Sequence, residues 1–102
     1  MTGSTNACGK TLRIEPYMVD NLTATKSTFT QFDIDLTADG YDNAIGIAGF
    51  EFANATDSGF GCSFCSAYSM AVVNGSALVS VRNHNANTNA KIAITLYLMF
   101  YD

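Results

Sequence analysis

The chain has 102 residues, with five Lys and Arg, nine Asp and Glu, one His and one Pro. Charged residues are only 14% of it, against roughly 25% in ordinary soluble domains. Hydrophobic residues still reach 48%, so the low charge is not a mark of disorder. A net charge of −4 argues against nucleic acid, whose phosphates call for clustered Lys and Arg, and no run approaches the roughly 20 apolar residues of a helical membrane span. In place of charges stand 11 Thr, 9 Asn and 8 Ser.

Residues 1–10 (MTGSTNACGK) are small and polar and read as an N-terminal arm. No basic region followed by an apolar one marks a secretory signal. Residues 11–102 read as a single domain whose period is two throughout. Leu12, Ile14 and Pro16 alternate with Arg13, Glu15 and Tyr17, as in a strand with its proline near an edge or end. From Thr28 to Leu36 the side chains of Phe32, Ile34 and Leu36 share one face and Asp33 and Asp35 the other. Thr37 to Gly40 is a turn. Ala44 to Asn54 is apolar on both faces, as expected of a central strand. Ser63 to Val73 resumes the alternation with Phe64, Tyr68, Met70 and Val72 on one side. Asn74-Gly75 then gives a strong hairpin signal before Leu78, Val79 and Val81. Asn83 to Asn89 (NHNANTN) is a polar loop, and Ala90 to Tyr101 closes the chain as a long strand. No window carries a helical period. About six or more strands separated by Gly, Asn and Asp predict an all-β fold, an antiparallel β-sandwich of jelly-roll-like form.

The last strand is apolar on both faces, and with Ala44–Phe52 it offers more apolar surface than one thin sandwich covers. An oligomer is therefore expected, with Ile92, Ile94, Leu96, Leu98, Phe100, Phe50 and Phe52 at subunit contacts. Outward loops are expected to present Asp39, Tyr41, Asn43, Asn83, His84, Asn85 and Asn87. Neutral polar loops with an aromatic suit hydrogen bonding and ring contact with glycans.

Catalytic chemistry finds little support. Cys62-Ser-Phe-Cys65 has metal or redox spacing, and Cys8 and His84 would complete four zinc ligands. The motif opens a strand, however, where residues three apart point to opposite faces, and no second ligand pair follows. No metal and no cofactor is expected, and the cysteines read as small half-buried thiols. Asp33 and Asp35 read as solvent-facing acids and Asp39, Asp42 and Asp57 as turn residues. Asn21-Leu-Thr, Asn54-Ala-Thr and Asn74-Gly-Ser match the glycosylation pattern, incidental if no signal peptide precedes them. An enzyme is not expected.

Asp39-Gly-Tyr-Asp-Asn-Ala-Ile-Gly-Ile-Ala-Gly-Phe50, Asn54-Ala-Thr, Cys65-Ser-Ala-Tyr68, Asn74-Gly-Ser-Ala-Leu-Val-Ser-Val-Arg-Asn83 and Ala90-Lys-Ile-Ala-Ile-Thr-Leu-Tyr-Leu98 occur in that order. Together they resemble the β-rich C-terminal modules of tail-fibre and related structural proteins of phages and prophages from Gram-positive hosts. The likeness spans roughly 60 residues, with Thr11–Leu36 as a weaker continuation. It implies a homotrimeric sandwich without catalytic residues, located on the virion surface and contacting other capsid or tail proteins. Such modules usually end a long fibre, whereas this chain starts at Met1, which points to a separately encoded capsid-decoration protein or head fibre. A host-surface glycan is the expected outside partner, with no nucleic acid and no membrane insertion. A free carbohydrate-binding, lectin-like module is the alternative.

Overall fold

Strand β7 (Ala90–Tyr101) organises the molecule, because every second side chain from Ile92 to Phe100 is apolar and needs cover. The computed structural model describes residues 6–7, 10–57 and 59–101. Two antiparallel sheets form around β7, and the described residues contain no α-helix. One sheet joins β1 (Asn6–Ala7), β2 (Lys10–Ala24), β7 and β4 (Gly46–Asn54) in that spatial order. The other joins β3 (Thr28–Asp35), β6 (Ser76–Asn83) and β5 (Cys65–Val73). The expected antiparallel sandwich is therefore present. Within the expected arm, Asn6–Ala7 pairs back on Lys10 and Thr11.

The core lies where the inner faces of the central strands β6 and β7 meet. Ala77, Val79 and Val81 from β6, with Ile92, Ile94, Leu96 and Leu98 from β7, are wholly inaccessible to solvent. Each large aliphatic buried in this way contributes roughly 1.5–3 kcal/mol. This corrects the expected subunit interface. Ile92, Ile94, Leu96, Leu98 and Phe100 are at most 1% exposed within a single chain and have no surface to give a second one. Phe50 and Phe52 stand on the edge strand β4, with Phe50 43% exposed and the ring centroids 5.2 Å apart.

The strands alternate as expected, but three of them change phase at a bulge, where an extra residue re-aims the side chains that follow. In β2, Val19 faces Ile94 and Leu22 faces Ile92, so Asp20 and Asn21 share the place opposite Ala93. Before this bulge Leu12, Ile14, Pro16 and Met18 lie on the outer face beside Tyr101, Met99, Tyr97 and Thr95. After it Leu22 and Ala24 lie inside. In β4 the extra residue is Ala48, which puts Ile47, Phe50 and Phe52 on one face rather than two. In β5 it is Tyr68, which turns outward and away from Met70 and Val72. Among the described residues β2 has no neighbour on the far side of Pro16, so its missing N–H breaks no described ladder bond.

Turns close the ends. Asn74 (φ 50°) and Gly75 (φ 79°) form the tight β5–β6 hairpin that Asn-Gly announced. The hairpin tip docks on the turn after β3, where the Leu36 N–H donates to the Gly75 carbonyl at 3.0 Å. Residues 37–39 make one 3₁₀ turn, and Gly40 (φ 77°) sends the chain back so that the Tyr41 N–H reaches the Leu36 carbonyl at 2.9 Å.

Candidate functional site

The expected outward loops are partly inward. Tyr41 is half-buried, its ring 5.1 Å from Tyr17 edge-on and 5.8 Å from Phe100, closing the end of the core. Arg13 sets its guanidinium over the Phe100 ring, 4.5 Å from the centroid, and pairs with Glu15 at 2.9 Å. Asp39 is exposed but committed, because the Tyr17 hydroxyl donates to its carboxylate at 2.5 Å. That bond, with some burial and the charge of Asp39, pushes the Tyr17 phenol up to about 12.

Asn83 is the larger correction. It is wholly buried, its amide donating to the carbonyls of Ala24 (3.1 Å) and Thr88 (3.0 Å) while its oxygen accepts the Asn85 N–H (2.9 Å). An amide so placed has its bonds filled and is an anchor rather than a probe of solvent. Asn85, half-buried, repeats the device: its side-chain oxygen accepts from the N–H groups of Asn87 and Thr88. Asn43, His84 and Asn87 remain exposed.

Cys8 lies outside the described residues. Cys62 opens a 3₁₀ turn and Cys65 caps its end, and both pack, half-buried, against the core. Desolvation, with Cys62 nearby, raises the Cys65 thiol above its ordinary range. Among the described residues no three His, Cys, Asp or Glu side chains gather as metal ligands. His84 instead places Nε2 2.9 Å from the Ser66 hydroxyl, while its backbone N–H donates to the Phe64 carbonyl at 2.9 Å. A Ser–His contact invites comparison with a catalytic pair. Here no acid is hydrogen-bonded to the imidazole among the described residues, and both side chains are exposed.

The outer face of the β3–β6–β5 sheet holds a surface that the sequence did not announce. Register puts Phe29, Arg82 and Ser66 in one row across the three strands, with Gln31, Ser80 and Ser69 in the row beyond Thr30, Val81 and Ala67. The Tyr68 bulge turns its ring toward Phe29, with centroids 4.6 Å apart. Arg82 sets its guanidinium 4.9 Å from the Phe29 centroid. Tyr68 is 72% exposed and Phe29 46%. Two adjoining rings left this open, bordered by Arg82, Ser66, His84 and Gln31, form an aromatic platform with hydrogen-bonding groups around it.

Tyr68 also borders an open cleft of about 380 Å³ between the neighbouring edges of β4 and β5. The bulged residues Ala48 and Tyr68, with Phe50 and Met70, line it. Platform and cleft thus adjoin, through Tyr68, as a partly aromatic strip along one side of the sandwich that carries the Arg82 cation. No protein-family model, curated protein or solved structure matches this chain.

Proposed function

We propose that this protein is a non-catalytic recognition module displayed on the surface of a phage particle, and that it binds saccharide on the Phe29–Tyr68 platform. The exposed ring pair carries the proposal. A pyranose presents a flat array of C–H groups on one side and hydroxyls at its rim. Tyr68 and Phe29 supply the ring surface, while Arg82, Ser66, His84 and Gln31 stand where rim hydroxyls would seek partners. Placement of all of these groups but His84 on sheet strands favours recognition without costly rearrangement. The ordered resemblance from Asp39 to Leu98 supports the particle setting. Ser66 and His84 are open to solvent, so in this reading they serve as hydrogen-bonding groups at the rim of the platform.

Glycan-array screening of the purified protein, including cell-wall polysaccharides of Gram-positive bacteria, tests the binding. Saccharide binding lost in Tyr68→Ala and weakened in Arg82→Met, with unchanged circular dichroism, is the expected result. No binding to any glycan, or binding indifferent to Tyr68→Ala, refutes it. Antibody labelling of purified particles tests the setting, and a protein that binds glycans but is absent from particles is a free lectin-like module instead.

A further inference from the structure

Charge is spread unevenly over the outer face of the β3–β6–β5 sheet. The row that holds Phe29 carries Arg82, the next is neutral at Gln31 and Ser80, and the acids Asp33 and Asp35 come only in the rows beyond. Asp33, the first acid on this face, lies four residues from Phe29 along β3. At about 3.4 Å per residue the separation is about 14 Å, beyond the roughly 8 Å over which exposed charges act at physiological salt. Lys26 joins the basic end through its bridge to Asn83, the residue after Arg82. Two of the five Lys and Arg thus stand at one end of this face, in a chain of net charge −4. Among the described residues the one ion pair is Arg13–Glu15, so no described acid neutralises either cation.

Arg82 is the better placed of the two. Its side chain is half-buried, and its guanidinium stands 4.9 Å from the Phe29 centroid. That contact fixes the ion beside the ring pair without using any of its N–H donors. Ser66 is its register partner on β5, and the Ser66 hydroxyl lies 2.9 Å from His84 Nε2. Wherever the proton sits, this pair keeps a donor to offer. The Ser66 hydroxyl hydrogen is free when Nε2 carries the proton, and the imidazole Nδ1–H is free when Nε2 accepts.

We infer that the platform takes an acidic saccharide, with a sugar ring on Tyr68 and Phe29 and a carboxylate or phosphate substituent against Arg82 and Ser66. The inference rests on the saccharide reading of the platform and adds the charge and the direction of the ligand. A guanidinium presents its N–H groups in one plane, matched to two oxygens of a carboxylate or a phosphate. A neutral sugar hydroxyl would leave most of those donors to water. Direction follows from the acids at the far end. The charged substituent belongs at the Arg82 end, and a saccharide chain continuing over Gln31 and Ser80 meets only neutral groups until Asp33.

Matched ligand pairs test this by chemical-shift titration of the full chain. Hexagalacturonate is compared with its methyl ester, and phosphorylated maltohexaose with plain maltohexaose, so the two arms separate carboxylate from phosphate. In at least one arm the acidic member should bind about 10-fold tighter at low salt. That advantage should vanish at about 1 M salt, where screening reaches within roughly 3 Å. Arg82→Met should remove the advantage, whereas Tyr68→Ala should abolish binding of both members. Inorganic phosphate at the same concentration should displace neither, because it leaves the rings uncovered. Equal affinity within both pairs, an advantage that survives Arg82→Met, or displacement by inorganic phosphate overturns the inference. Equal affinity that still depends on Tyr68 leaves the platform reading standing, and no binding by any member refutes that reading along with this one.

Discussion

Replacing Asn83 by Leu tests whether a single buried amide holds the β6–β7 connection. The two side chains branch alike at Cγ with the same number of heavy atoms, so the lost hydrogen bonds dominate, and the greater bulk of leucine adds some strain. Three are lost: to the Ala24 carbonyl, the Thr88 carbonyl and the Asn85 N–H. Ala24 is wholly buried, and its orphaned carbonyl costs about 1–3 kcal/mol, while each of the other two bonds contributes about 0.5–1.5 kcal/mol. The apolar leucine returns part of this through its own burial. The net loss expected is about 3 kcal/mol, a large share of the roughly 5–15 kcal/mol that holds a small domain folded. Urea unfolding followed by far-ultraviolet circular dichroism reads it directly, as a midpoint lowered by roughly 2 M with the slope unchanged. Asn83→Asp should be worse at neutral pH, because a carboxylate would face two carbonyls with no proton to offer. A leucine variant within about 1 kcal/mol of wild type would refute the reasoning.

The Tyr17–Asp39 bond carries its own pH dependence. Tyr17 is neutral in the fold up to about 12, against an ordinary value of 10.0. Its contribution is thus complete below pH 10 and lost as pH rises from 10 toward 12. Because the site is largely open to water, that loss should stay below about 1 kcal/mol, and Tyr17→Phe should abolish it in alkaline unfolding curves. At the acid end, Asp20 is held below its usual range by hydrogen bonds from Thr56 and Asn21, and Asp35 by those from Thr37 and Ala38. Both stabilise above the ordinary carboxylate value and lose that contribution as pH falls below it, so Asp35→Asn should flatten the acid limb of a melting-temperature profile. Gly75→Val should destabilise by roughly 1–2 kcal/mol in urea titration. The residue sits at φ 79°, and a Cβ there meets the Thr37 methyl at 3.0 Å. A neutral substitution would mean that the hairpin tip can rotate away from the turn after β3.

Strands, hairpin and core stripe were legible because period two and Asn-Gly are local signals. Ile92 to Phe100 read correctly as one face, and Asp33 and Asp35 as its opposite on β3. The side of the sheet that each strand shows was not legible wherever a bulge intervened. Leu12, Ile14 and Pro16 continue in phase with Leu22 and Ala24 on paper, yet one extra residue at Asp20–Asn21 separates outside from inside. Nothing in the residues Asp, Ala or Tyr marks them as the inserted ones in β2, β4 and β5. The apolar excess was real, but strand phase assigned it to the buried face of β7 instead of the one carrying Tyr97 and Met99. Asn83 looked like loop punctuation because asparagine is common there, and its burial depends on Ala24, 59 positions away. Phe29 and Tyr68 likewise meet only because the sheet order places β6 between β3 and β5.

The position of β7 also has a kinetic consequence. The strand that joins β2 to β4 in the four-stranded sheet is the last of the described strands in chain order, and its end, Tyr101, pairs with Leu12 in β2. Until β7 has been made, β2 and β4 have no common neighbour, while the β5–β6 hairpin closes on its own. Such long-range pairing slows two-state folding into the millisecond-to-second range. In that interval the unpaired edges of β2 and β4, with Met18, Phe50 and Phe52, are open to other nascent chains. Loss of residues 90–101 would therefore remove the strand that joins β2 to β4.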